Sequence, residues 1–336
     1  MSHYHLTDNR KKTLSDRPTL LITFAICFLC WGAAYFYSVG FPLEVVDSVF
    51  PVFGIICRLL GNSFIVYAGG VLFLILIAFI LQRISDIENL IRERTRLVFM
   101  LFILFTSTNM GLLPFKEVTV VILCLVFMLH ELFSTYQLSE ATGRLFNAGV
   151  LVGFGGLFMP QVLWYVPLLW VGMYQFRSLS FRSFWASLVG VMIIYWLVLA
   201  WCVWKHDFSM FSMFYSSLTD FDFFSVLLSF RYGQIGSCCI VLLLFLSFFY
   251  VKMDAFNNRV RVRFMLSFLL NMSVWSLLLI CMYGSHADSF LAILYLPVSV
   301  LIAYFMESLR NRVRFMVYYL LLAVCAFSFM MRLWNY

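Results

Sequence analysis

The stretch LFNAGVLVGFGGLFMPQVLWYVPLLWVGMYQ, Leu145–Gln175, holds no formally charged residue and carries Pro160 at its centre. One long helix kinked at Pro160 would cross a membrane once, whereas a hairpin would cross it twice and invert everything downstream. Lys and Arg collect in cytoplasmic gaps, so counting them decides between the two. With a hairpin and the N-terminus inside, Arg10, Lys11, Lys12, Arg17, Arg83, Arg92, Arg94, Arg96, Arg144, Arg177, Arg182, Lys252, Arg259, Arg261, Arg263, Arg310, Arg312 and Arg314 fall inside. Only Arg58, Lys116, Lys205, Arg231 and Arg332 fall outside, a split of 18 to 5 that a single helix reduces to 12 to 11. The count predicts eleven spans, with the N-terminus in and the C-terminus out.

Outward from the hairpin the same pattern holds. All 39 charged residues lie between eleven apolar runs: Thr19–Ser38, Ser63–Gln82, Leu97–Leu113, Val118–His130, Leu145–Met159, Gln161–Gln175, Ser183–Trp204, Ile235–Val251, Phe264–Tyr283, Ser289–Met306 and Phe315–Met331. An apolar layer takes about twenty helical residues to cross. The fourth to sixth runs are short and need a thinned layer or shielding neighbours. A chain of 336 residues that is 63% hydrophobic and 12% charged has the bilayer as its solvent, because soluble domains carry about a quarter charged residues. No linker or soluble block interrupts the runs. The expected fold is therefore all-α, a polytopic transmembrane bundle forming one membrane domain over residues 1–336. Residues 1–18 are expected as a cytoplasmic tail, and the first run, lacking a small-x-small cleavage site, as a retained helix. The inside bias accounts for the net charge of +7 without a nucleic-acid partner.

Two gaps read as interfacial helices. In residues 83–96, Ile84, Ile87, Leu90 and Ile91 recur at helical spacing, with Asp86, Glu88, Arg92, Glu93, Arg94 and Arg96 on the other faces. In the outer gap 205–234, Phe208, Phe211, Tyr215 and Leu218 form a stripe that Phe221, Phe223, Phe224, Leu227 and Leu228 extend. All nine cysteines but Cys57 lie within runs, and Cys27-x-x-Cys30 reads as packing rather than a redox or zinc site.

Ion-coupled carriers place ionisable groups inside the membrane. No run here contains a formal charge, and His130, at a run's end beside Glu131, is expected to cap or snorkel. Thr106, Ser107, Thr108, Asn109 and Asn271 leave a carrier of a neutral substrate open. Chemistry is otherwise confined to an interface, where the outer gaps hold Glu44, Asp47, Glu117, Asp207, Asp220, Asp222 and Asp288. On a short helix Glu44 and Asp47 share a face, a pair able to bind a divalent cation or act as general base, or simply to solvate the helix edge. Asp220-Phe221-Asp222, His206-Asp207 and His286 with Asp288 are more generic. Arg58, Lys205 and Arg231 are cations suited to a lipid phosphate. The basic inner gaps, including Phe176–Phe184, read as topological signals.

From about Asn89 to Gly190 the chain resembles an uncharacterised multi-pass inner-membrane family of Bacteroidota. The resemblance rests on the Arg-rich gap, Gly111-Leu112-Leu113-Pro114, Leu145-Phe146-Asn147-Ala148-Gly149, Leu157-Phe158-Met159-Pro160 and Phe176-Arg177-Ser178-Leu179-Ser180-Phe181-Arg182. In architecture the chain is similar to the multi-pass lipid-linked sugar transferases of the GT-C fold, which carry acids in a first outer loop; Glu44 and Asp47 stand there, although not adjacent to each other. That resemblance implies a transferase of a bacterial inner membrane that uses a polyprenyl-phosphate-linked sugar donor at the outer face. Glu44 or Asp47 would be the catalytic base, Arg58 and Arg231 would hold the lipid phosphate, and lipid tails would lie beside the short hairpin helices. No cofactor is expected beyond a divalent cation at Glu44 and Asp47. The alternatives are a non-enzymatic envelope-assembly scaffold and a transporter or flippase of a neutral or lipid-like substrate.

Overall fold

The computed structural model describes residues 17–38, 63–91, 95–138, 141–206, 208–222, 235–253 and 259–334. Among them each of the eleven apolar runs is helical: α1 (Arg17–Ser38), α2 (Ser63–Ile87), α3 (Leu97–Ser107), α4 (Glu117–Phe133), α5 (Thr142–Phe158), α6 (Tyr165–Gln175), α7 (Phe181–Lys205), α9 (Ile235–Met253), α10 (Val260–Met282), α11 (Ala287–Ser308) and α12 (Asn311–Trp334). A further helix, α8 (Ser209–Thr219), lies in the longest gap, and no strand occurs among the described residues. Helix is what an apolar solvent enforces, since backbone polar groups have no water to bond there. Six helices, α1, α2, α7, α10, α11 and α12, are long and apolar enough to cross a membrane, while α3 and α9 are apolar but shorter. Such a bundle fits an integral, multi-pass membrane protein.

The centre is built on α3 and α11. α3 is buried at every position except Phe99, and α11 packs against α3, α4, α9 and α10. Tyr295 meets Phe105 across the α11–α3 seam with ring centroids 5.8 Å apart.

The stretch around Pro160 is a hairpin. Met159 is extended (φ −138°, ψ 100°), as a residue before proline prefers. Pro160 then opens a 3₁₀ turn, Pro160–Trp164, that leads into α6. Both ends of the hairpin return to one turn: Arg144 donates to Ser134 O at 2.7 Å, and the Gln137 N–H donates to Phe176 O at 3.1 Å. The helix pair α5–α7 gives the same answer independently. A Cβ on Gly149 would collide with Ser187 O, one on Gly190 with Phe146 O, and one on Gly153 would press at 3.1 Å on Val191. From Gly149 at Ser187 through Gly153 at Val191 to Gly156 at Tyr195 residue numbers rise together along the two helices, so they run parallel. α6 must therefore run back between them.

Other contacts sort the gaps into two sets. At the basic end Arg261 pairs with Glu88, Thr135 donates to Ser178, and Gln175 donates to Phe264 O. At the opposite end the Phe115 N–H donates to Val66 O, Asn109 to Asp288, and the Asp222 N–H to Met282 O.

Both gap segments expected to be interfacial are described in part. Arg83–Ile87 is no separate helix: nothing interrupts α2 at Gln82, so it runs on to Ile87, and the chain turns at Asn89, which has the positive φ (50°) that asparagine tolerates. Ile84, Leu90 and Ile91 are buried, Ile87 is exposed, and Arg92–Arg94 lie outside the described residues. In the second gap, His206 (φ 56°) ends α7 and α8 follows. α8 turns Phe211, Phe214 and Leu218 inward and leaves Phe208, Met213 and Tyr215 exposed. Phe214 meets Tyr195 of α7 at 5.2 Å, and Ser217 O accepts from Gln161 in the 3₁₀ turn. α8 thus sits on the hairpin tip. With Gly153 facing Val191, the 17 residues of α5 end well short of the 25-residue α7. Beyond that level α7 exposes Trp196, Trp201 and Trp204, the residue type that favours a membrane–water interface.

The glycine contact sets the first prediction. Gly149→Val or Gly190→Val should lower the thermal-unfolding midpoint of the detergent-purified protein, at an overpacking cost of about 2–3 kcal/mol. Gly143→Ala, which meets nothing within 4 Å, should change stability by less than about 1 kcal/mol. Equal effects at the three positions would refute the close α5–α7 approach.

Candidate functional site

Glu44, Asp47, Arg58 and Arg231, with any cation that the two acids would hold, lie outside the described residues, as do Asp207 and the Phe223–Leu228 extension of the stripe. What the structure does locate is the helix ends that flank these segments in the chain. The segment bearing Glu44, Asp47 and Arg58 runs between α1 and α2. Between α1 and α2 Tyr35 packs on Phe64 and Tyr67, the Tyr67 hydroxyl donates to Trp31 O at 3.2 Å, and the Trp31 indole donates to Ser107 Oγ at 2.8 Å. α1 and α2 therefore converge on the end of α3, where Asn109 begins the next turn.

Asn109 accepts from the Gly111 N–H and donates to Asp288 Oδ1 at 3.2 Å, and Asp288 forms an ion pair with Arg332 at 3.9 Å. The end of α3, the start of α11 and the end of α12 thus share one polar knot. Beside it a second knot docks the D-x-D tripeptide. The Asp222 backbone bonds Met282 O and the Gly284 N–H, and Phe221 packs against Trp164 and Tyr283. The buried Tyr283 hydroxyl accepts from Trp164 Nε1 at 2.8 Å and donates to Leu218 O at 2.6 Å, tying the end of α8 to the bundle. Burial pushes the His286 imidazole below its ordinary value, against the pull of Asp220. The stability contributed by neutral His286 is full above about pH 6.5, and it declines as pH falls below that value.

The polar residues considered for a neutral-substrate path are largely occupied locally. Thr106, Ser107 and Thr108 donate to carbonyls of their own helix, as hydroxyls in an apolar layer must unless another partner is present. Asn271 is exposed and reaches Gln175 at 3.4 Å. Cys27 is buried and Cys30 half-buried; both are free thiols. No group of three or more His, Cys, Asp or Glu suited to a metal occurs among the described residues.

Sequence reasoning passed over the basic end. Glu88 was assigned to a polar face, yet its side chain is only 4% exposed, in contact with the Arg261 guanidinium. The spacing of Ile84, Glu88 and Ile91, four and then three residues, already puts Glu88 on the buried face. Ser85 Oγ, Thr95 Oγ1 and His130 Nδ1, from the same end of the bundle, are buried without a hydrogen-bond partner among the described residues. His130 therefore does not extend Nδ1 to water, and its charge bears on Glu88.

Compared with known proteins, the chain matches no family model, no curated protein and no solved structure.

Tyr283→Phe removes the hydroxyl that bridges Trp164 and Leu218. It should cost about 1–3 kcal/mol and speed proteolysis between α7 and α9 in the purified protein. An unchanged digestion rate would mean that Tyr283 does not hold α8 in place.

Proposed function

We propose that this chain is a bacterial inner-membrane protein of eleven crossings, basic end in the cytoplasm, that transfers a sugar from a polyprenyl-phosphate donor at its outer face. One observation carries the choice of face. Formal charge is missing from the apolar runs, and the end opposite the basic one brings Asn109 at the end of α3 to Asp288 and Arg332, and Asp220 near His286. In this reading Glu44 or Asp47 takes the proton from the acceptor hydroxyl. The oxygen so freed bonds to the anomeric carbon as its bond to the lipid phosphate breaks. Arg58 and Arg231 stabilise the charge that grows on that phosphate.

The sorting of contacts into a basic and an opposite end supports eleven crossings, because each contact joins gaps that alternating helices would bring to one side. The Gly-lined α5–α7 pair supports the hairpin on which the count depends. A scaffold is the second reading, favoured over a carrier by a centre filled with apolar side chains of α3 and α11.

Two tests follow. A cysteine replacing Ser212 in a cysteine-free variant should react with an impermeant thiol reagent added outside intact cells. One replacing Ser180 should react only after lysis. The reverse pattern would overturn the orientation. With the protein reconstituted in bacterial lipid, Asp47→Ala or Glu44→Ala should cut transfer from a polyprenyl-phosphate-linked sugar by about a hundredfold or more, with insertion unchanged. Full activity in both variants would remove the transferase reading.

A further inference from the structure

The basic end holds a buried carboxylate that the proposed chemistry does not use. Glu88 follows the last turn of α2 and is enclosed by elements distant in sequence. From α10 comes Arg261, whose guanidinium also lies 6.0 Å above the Tyr136 ring and whose side chain is 48% exposed. From α4 comes His130, with Glu131 beside it in sequence. On its own side Asp86 is held by Gln82, which also donates to Thr95 O, and Arg83 points to solvent. Arg263 lies over Phe264. Neither Ser85 nor Thr95 offers its hydroxyl to the carboxylate. The contact with Arg261 is an ion pair without the alignment of a hydrogen bond.

A carboxylate enclosed in this way, compensated among the described residues by the half-exposed Arg261 and more weakly by His130, costs more to keep charged than one in water. We infer that Glu88 makes closure of the basic end proton-dependent: the protonated carboxyl keeps the 88–91 turn packed against α4 and α10, and ionisation at higher pH loosens it. The ligand of this site is a proton. Burial raises the Glu88 carboxyl above its ordinary value, while Arg261 first and His130 second pull it down. By linkage, the contribution to closure is full below about pH 4.5 and is lost as pH rises through the folded-state value. The inference stands apart from the transferase reading, since it involves neither Glu44 nor Asp47.

Hydrogen exchange of the full-length protein in lipid nanodiscs tests it, with rates corrected for the intrinsic effect of pH. Protection of residues 84–91 and 260–265 should rise as pH falls, by about tenfold for each unit separating the closed and open carboxyl values. Glu88→Gln, neutral at every pH, should give high and pH-independent protection. Arg261→Gln should move the midpoint to higher pH, because the guanidinium favours the charged form; a residue acting only by packing would leave it in place. A flat wild-type profile, or a Glu88→Gln variant that keeps the wild-type profile, overturns the inference. If Glu88→Gln does not fold, Arg261→Gln decides: a raised midpoint supports the inference and an unmoved one overturns it.

Discussion

Along the seam between α5 and α7, Gly149, Gly153 and Gly190 let two helices come together until one backbone touches the other. In lipid the usual reason for helices to associate is missing, because acyl chains are as apolar as leucine. Close packing by small residues supplies it instead. The seam joins two parallel helices, and a parallel pair with a short connection needs a third helix running back. That requirement produces the Pro160 turn and α6, and it gives α10 a neighbour on the other side of the hairpin. A side chain larger than hydrogen at Gly149 would disturb a large part of the bundle.

The polar groups of this protein are handled differently at three depths. In the apolar interior hydroxyls bond to carbonyls of their own helix. At the opposite end, groups from several gaps satisfy one another through Tyr283, Asn109 and Asp288, so the loops there are tied to one another as well as to the helices. At the basic end Glu88 is enclosed with incomplete compensation.

The hairpin was legible in the sequence because counting Lys and Arg is a constraint on the whole chain, and an error at Pro160 would have been carried through every later gap. Helix positions were legible because absence of charge marks them. Which helix would pack on which was not, since phenylalanine and leucine serve equally well against protein or lipid. The G-x-x-x-G of Gly149–Gly153 was an available signal for the α5–α7 seam. Glu88 was misread because charge was given more weight than spacing: it was placed on a polar face although the buried Ile84 stands one turn before it. In α8, Phe211 and Leu218 of the expected stripe do turn inward, and Tyr215 gives way to Phe214 because the helix docks against Tyr195. Glu44 and Asp47 lie outside the described residues, so the sequence remains their sole basis.

The shortness of α5 also bears on how the chain is made. Its glycine face is completed by residues of α7 that are synthesised later, and its tip is covered by α8, later still. A nascent chain that ends at Gln175 has neither the partner of its glycine face nor the cover of its turn. The hairpin is therefore provisional at birth. Its packing is completed only by residues that follow it in the chain.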